Sequence, residues 1–239
     1  MNLLQHKTII ITGASKGIGK ATALAFSKWQ TKLALIARSK DELITLQQSV
    51  IANGSQCLIY AGDVSDEVFV NTSTSDILKH FGNTDILINN AGFGIFKKAE
   101  ETPVEDWDAV FATNVKGTFL LSRAVMPSMK KMKTGHIINI ASDVAKRVFA
   151  GGALYCASKY AQEAFSLTIR KELRPFNVKV SVVYSGLVDS SFHAEAQGDV
   201  SHNDWLKNED MANAICYIAS QPAHVVIDEL MIHPIAQDY

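Results

Sequence analysis

Apolar runs of strand length alternate along this chain with longer stretches whose apolar positions recur at helical spacing. The runs at residues 8–11, 32–37, 56–60, 85–88, 136–140, 178–183 and 228–232 are rich in Ile, Val and Leu, with no regular polar alternation. Strands covered on both faces read this way, because neither face has to meet water. The stretches at 19–28, 41–52, 66–80, 104–129, 154–173 and, more weakly, 208–219 predict helices. Strands alternating with helices build right-handed βαβ units. The pattern therefore predicts an α/β fold: one doubly wound parallel sheet of about seven strands, with helices on both faces. No repeat, low-complexity tract or linker divides the chain, so residues 1–239 are expected to form a single domain. The least regular stretch, 190–207, contains Phe192 and His193 and reads as a short mobile lid.

Composition narrows the function classes. The chain has 239 residues, of which 47% are hydrophobic and 20% charged, as in a globular protein with a large core. A net charge of -1 gives no broad attraction toward nucleic acid or anionic membrane. Cys57, Cys156 and Cys216 are scattered and odd in number, which argues against a disulfide framework and for a reducing compartment. No apolar run approaches the ~20 residues of a membrane span, and the first residues show no signal-peptide core. A cytoplasmic protein is expected. The His residues show no metal-ligand spacing, so no metal is expected.

The first strand runs into Thr12-Gly13-Ala14-Ser15-Lys16-Gly17-Ile18-Gly19. Glycines here let the backbone turn tightly and approach a pyrophosphate, while the helix that follows offers free N–H groups to the anion. The same residues spell G-x-S-x-G, the nucleophile elbow of serine hydrolases. A hydrolase would need acid and base partners for Ser15, and Asp85 and His233 are the nominal candidates.

Tyr155 and Lys159 stand four residues apart on one predicted helix, thirteen residues after Ser142. Residues so spaced share a helix face. A cation beside a phenol favours its ionised form, and moving a Tyr pKa by roughly three units takes about 4 kcal/mol. The pair is therefore a candidate acid/base couple.

In sum these motifs resemble those of the short-chain dehydrogenase/reductase family over nearly the whole chain. Thr12 to Gly19 is similar to the family's glycine motif, and Asp63-Val64 to the pair that contacts adenine. Asn89-Asn90-Ala91-Gly92 is similar to its N-N-A-G turn. Asn114 and Ser142 fall where the family keeps an active-site Asn and Ser, and Tyr155 with Lys159 completes the tetrad. The resemblance implies a Rossmann-type domain and hydride transfer between a nicotinamide and a carbonyl carbon. Asn114, Ser142, Tyr155 and Lys159 would be catalytic. Tyr155 would exchange the proton, Ser142 would bond the carbonyl oxygen, and Lys159 would lower the Tyr155 pKa and hold a ribose. Asn114 would tie Lys159 to a water chain. Cofactor contacts are implied for Gly13, Ser15, Lys16, Gly17, Ile18 and Gly19, for Asp63, Val64, Asn90, Ala91 and Gly92, and for Gly186 and Val188. One departure stands out: Ser185 replaces the Pro usual before Gly186, which removes a fixed φ from that loop. The usual Thr further on becomes Ser190.

A cofactor with a free ribose 2′-hydroxyl calls for an acid at the end of the second strand. Here Ala37 is followed by Arg38, and Lys16 lies in the glycine turn. Two cations and no acid predict NADP(H). The substrate is expected to be a small carbonyl or secondary alcohol of the ketone or 3-oxo/3-hydroxy acid type. The C-terminal sequence is more similar to serine-type 3-hydroxy acid dehydrogenases than to acyl-carrier-protein reductases. A 3-oxoacyl-thioester reductase is the alternative, and a non-catalytic NADP-binding sensor a further one. Lys146 and Arg147 read as a solvated loop before they read as an anion site. The family's helix pairing implies a homodimer or homotetramer.

Overall fold

The computed structural model describes residues 3–192 and 197–238. Its main sheet is built from β1 (Thr8–Thr12), β2 (Lys32–Ala37), β3 (Gln56–Ala61), β4 (Ile86–Asn89), β5 (Gly135–Ile140), β6 (Val178–Ser185) and a last strand at Glu229–Ile232. The helices are α1 (Gly17–Ser27), α2 (Lys40–Ala52), α3 (Glu67–Phe81), α4 (Val104–Phe111), α5 (Thr118–Met132), α6 (Ala153–Leu173) and α7 (Asn208–Ala219). Short strands β7 (Val188–Asp189) and β8 (Leu206–Lys207) form a separate parallel pair, which makes the Glu229–Ile232 strand β9. The sheet order is β3-β2-β1-β4-β5-β6-β9, and every pairing is parallel.

The unalternating strands have a direct cause. Ile9 and Ile11 of β1 pack with α1, α2 and α7, through Phe26, Leu46 and Ile215. Ile10, between them, packs on the other face with α3, α5 and α6, through Ile77, Leu121 and Ile169. Successive side chains point to opposite faces, and both faces are roofed by helices. The order reverses at β1, which lies between β2 and β4. Sheets of this type open a crevice beyond the carboxyl ends of the strands at such a point.

Two expectations are corrected. The single helix predicted over 104–129 is two helices joined by a six-residue π-helical segment, Ala112–Gly117. The loop predicted over 190–207 includes a turn at Val200–His202 and ends in β8, which pairs with β7 just before the loop. That pair is anchored by Asp189, whose carboxylate accepts from His202 Nδ1 at 3.1 Å, Lys207 Nζ at 3.2 Å and the Gly198 N–H at 2.8 Å. His193 of the predicted lid lies outside the described residues.

Candidate active site

The carboxyl ends of β1, β4, β5 and β6 surround a cleft of about 650 Å³. At the β1 end the glycines act as the sequence demands. Gly13 has φ +62°, and a side chain there would start 2.9 Å from the Ala91 backbone. A Cβ on Gly19 would sit 2.3 Å from the Gly13 carbonyl oxygen, so helix and turn can approach only without it. Thr12 Oγ1 accepts from the N–H groups of Asn90 (3.0 Å) and Ala91 (2.9 Å), and Asn90 Nδ2 donates back to the Thr12 carbonyl at 3.0 Å. The glycine turn and the Asn90-Ala91-Gly92 turn are thus stitched into one floor. The first turn of α1 carries no acidic residue, which leaves its N-terminus open to an anion.

Gly13, Ser15, Lys16, Gly17 and Ile18 line this end of the cleft. Arg38, Asp63 and Val64 form its outer rim with Ser39 and Gly62. Lys16 and Arg38 are exposed, and neither forms an ion pair among the described residues. Asn90, Ala91 and Gly92 lie midway, and Gly186 and Val188 close the far side with Ser142, Tyr155 and Lys159. Gly19 and Asn114 support the lining from behind.

Ser142 lies two residues past β5, in extended backbone. Its Oγ lies 3.0 Å from Asp143 Oδ1 and 3.3 Å from the Ser185 carbonyl, and it is hydrogen-bonded with the Tyr155 hydroxyl. Tyr155 and Lys159 share one face of α6, with Nζ 5.8 Å from the phenol ring centroid. Burial pushes the Tyr155 pKa well above the ordinary phenol value, against the lowering effect of the Ser142 hydrogen bond. The expected lowering by Lys159 is therefore not the dominant effect on this buried phenol. Lys159 points instead at the Ile140 carbonyl and Gln162 Oε1, both at 3.0 Å.

Asn114 does not reach Lys159 directly. Its amide grips the Phe93 backbone from both sides, accepting from N–H at 3.0 Å and donating to C=O at 2.9 Å, and also donates to Ser158 Oγ at 3.0 Å. Placing that fully buried amide beside the turn is what the π segment does. The link from Lys159 toward Asn114 runs through Gln162, whose Nε2 donates to Thr118 Oγ1 at 2.9 Å, and Thr118 in turn donates to the Asn114 carbonyl at 2.8 Å. Sequence reasoning missed Gln162, although its spacing from Lys159 puts both on one helix face.

It also missed how the loop without Pro is held. The Gly186 N–H donates to the Ile232 carbonyl at 2.8 Å, and the Leu187 N–H to Gln237 Oε1 at 2.8 Å. Gln237 Nε2 donates to Asp143 Oδ2 at 2.8 Å, so one amide ties this loop to the residue beside Ser142. A Cβ on Gly186 would lie 2.2 Å from Gln237 Oε1. The firmness expected of Pro is supplied by packing from residues about fifty positions away.

The hydrolase arrangement is not assembled. Asp85 pairs with Lys7 at 2.9 Å and with the Thr8 N–H at 2.8 Å, at the opposite end of β1 from Ser15. His233 lies 3.3 Å from Asp143 Oδ2.

Burial gives Lys159 a measurable signature. Its pKa falls to about 8. The unfolded chain keeps that proton to roughly pH 10.4, so the folded state binds fewer protons in between, and this cost of folding fades as pH rises from about 8. Lys159→Met is expected to be more stable than wild type at neutral pH, by up to about 3 kcal/mol, with the gap closing toward pH ~10. Thermal unfolding across pH measures this. A variant less stable at neutral pH would mean that the bonds to Ile140 and Gln162 outweigh burial.

Comparison with known proteins agrees with this fold. Residues 7–200 match the short chain dehydrogenase family. An uncharacterised oxidoreductase of Staphylococcus haemolyticus is 35% identical over 235 residues, covering 98% of this chain and all of that one. An alcohol dehydrogenase of the archaeon Thermococcus sibiricus, solved with 5-hydroxy-NADP, superposes with a TM-score of 0.93 at 31% identity, covering 98% of both chains. The closed form of a serine dehydrogenase with NADP+ superposes with a TM-score of 0.90 at 31% identity, covering 97% of this chain and 96% of that one. The family match and these relatives define a dinucleotide-dependent oxidoreductase. The chain belongs to the short-chain dehydrogenase/reductase family. Among the described residues no helix is long and apolar enough to cross a membrane.

Proposed function

We propose that this protein is an NADP(H)-dependent oxidoreductase that interconverts a small carbonyl compound and its secondary alcohol. One observation carries the reading: a single cleft has Ser142, Tyr155 and Lys159 together at one end and Lys16 with Arg38 at the other. Arg is suited to bidentate phosphate contact, and the second strand ends without an acid. The 5-hydroxy-NADP and NADP+ bound in the two solved relatives support this cofactor.

The residues fit such a cofactor. The pyrophosphate would lie on the α1 N-terminus over Gly13 and Gly17, and the adenine beside Asp63 and Val64. Lys159 would hold the nicotinamide ribose, and Gly186 and Val188 would border the ring. The nicotinamide supplies the hydride. The chain supplies the proton and the orientation. Tyr155, held protonated by burial, is a general acid aimed at the carbonyl oxygen. The single hydrogen of Ser142 Oγ points at Asp143 Oδ1 and the Ser185 carbonyl here, and with substrate bound it would turn to the same oxygen as charge develops there. Lys159, Gln162 and Thr118 form a hydrogen-bonded path behind Tyr155 that keeps the ammonium in place. Consumption of NADPH with a panel of ketones, diketones, 3-oxo acids and acyl thioesters tests the reading. Tight NADPH binding without turnover of any of them would overturn it.

The same proposal includes a homo-oligomer. Trp107 on α4, Phe119 on α5 and Tyr160 on α6 are each about two-fifths exposed, on helices that the family pairs between subunits. Light scattering is expected to give a dimer or tetramer mass, and a monomer would contradict it.

A further inference from the structure

The carbonyl-reductase reading leaves the substrate open, and the far end of the cleft narrows it. Three Phe rings cluster with the ring of Tyr155 at this end of the cleft. Phe96 meets Tyr155 at 5.5 Å between centroids in an edge-to-face contact, Phe192 meets Tyr155 at 5.4 Å, and Phe96 lies 6.2 Å from Phe192 and 5.8 Å from Phe149. Val144 packs into the same cluster, and Val148 lines the mouth. Phe96 and Phe149 are 46% and 47% exposed, and Val148 73%. A group of large apolar side chains left open at the mouth of a reactive cleft marks a surface kept for an apolar ligand. Rings at these separations can accept a further ring edge-on or offset.

Charge points the same way. The cations at this end are already engaged: Lys159 donates to the Ile140 carbonyl and Gln162 Oε1, and the other two are Lys146 and Arg147. Lys146 Nζ contacts Glu163 and lies 3.1 Å from Glu229 Oε2, so it turns toward those acids over the Tyr184 ring. Arg147 lines the cleft, but it is ion-paired with Asp143 and donates to the Asp238 carbonyl at 3.1 Å. His233 and Gln237 also face Asp143, and its Oδ1 lies 3.0 Å from Ser142 Oγ. A substrate carboxylate beside the reacting carbonyl would approach a buried carboxylate and find its natural partner, Arg147, taken.

We infer that the substrate is a neutral carbonyl compound carrying an aryl or similarly flat apolar group, held by Phe96, Phe149 and Phe192, and that free carboxylates are selected against. The inference rests on the carbonyl-reductase reading, and two readouts keep the two apart. The substrates are methyl benzoylformate and benzoylformate, which differ only by the ester that removes the charge. Turnover is followed with NADPH, and binding to the protein with NADP+ is followed by calorimetry. The ester is expected to exceed the acid in kcat/KM by about tenfold or more, since a desolvated, unpaired charge is costly. Phe96→Ala is expected to lower the ester's kcat/KM about tenfold, mainly through KM, because a ring contact to the substrate is lost. Phe96→Tyr should restore it, and the NADPH affinity of both variants should match wild type. Equal or tighter binding of the acid, no binding of either compound, or an indifferent Phe96→Ala would overturn the inference. Tighter binding of the ester without turnover would uphold the apolar site and overturn the reductase reading.

Discussion

Tyr155→Phe is expected to lower turnover by about a thousandfold or more while leaving NADPH binding essentially unchanged. General acid catalysis by a positioned side chain contributes roughly 10²–10⁴-fold, and this substitution removes only the oxygen that would deliver the proton. The ring stays, and with it the packing against Phe96 and Phe192. Ser142 keeps Asp143 and the Ser185 carbonyl as partners, so the end of β5 has no reason to move. Lys159 keeps both of its acceptors, neither of which is Tyr155. The comparison to make is single-turnover hydride transfer beside the NADPH dissociation constant. A variant within about tenfold of wild type would remove Tyr155 from the chemistry and leave the proton to another donor. A lost affinity for NADPH would recast Tyr155 as a binding residue.

The second large effect is on cofactor choice. Replacing both Lys16 and Arg38 by Ala is expected to reduce the preference for NADPH over NADH by about 100-fold, since charged hydrogen bonds contribute roughly 1.5–3 kcal/mol each. Both side chains are exposed, so part of that contribution is screened by solvent, which holds the expected value at the low end of the sum. Both also lack ion-pair partners among the described residues, so their removal orphans nothing and stability should not change. The observable is the ratio of kcat/KM values for the two cofactors. An equal loss with both would mean that the cations act on the shared pyrophosphate, and the assignment of a 2′-phosphate at the Arg38 rim would be wrong.

How much of this was readable beforehand depended on the range of the interactions. The strands were legible because both faces are roofed, which writes unbroken Ile, Val and Leu runs into the chain. The glycine turn was legible because sterics at Gly13 and Gly19 allow little else. Tyr155 and Lys159 were legible from helical spacing, and the same spacing extended by three residues would have found Gln162. The π segment was not legible. Its sequence, ATNVKG, holds four weak helix formers, but these do not tell a π turn from a frayed α-helix, and what accompanies the irregularity is Asn114 gripping the Phe93 backbone, a contact across twenty-one positions. Asp143 stood beside Ser142 in plain sight, but its meaning depends on His233 and Gln237, about ninety positions away. The strength of burial was not legible for a related reason: spacing places a cation near Tyr155, but only the fold says how strongly water has been withdrawn from the phenol.

The π segment has a consequence for how the protein can change. One residue more than a regular helix would hold is accommodated between α4 and α5, and deleting a residue from Ala112–Gly117 would turn one helix by about 100° against the other. Either Asn114 would leave the Phe93 backbone, or the stacked Trp107 and Phe111 would rotate off their face. Point substitutions along α4 and α5 can be absorbed one at a time. A change in length there cannot be, so laboratory evolution of this enzyme should yield many altered letters in this stretch and no surviving insertions or deletions.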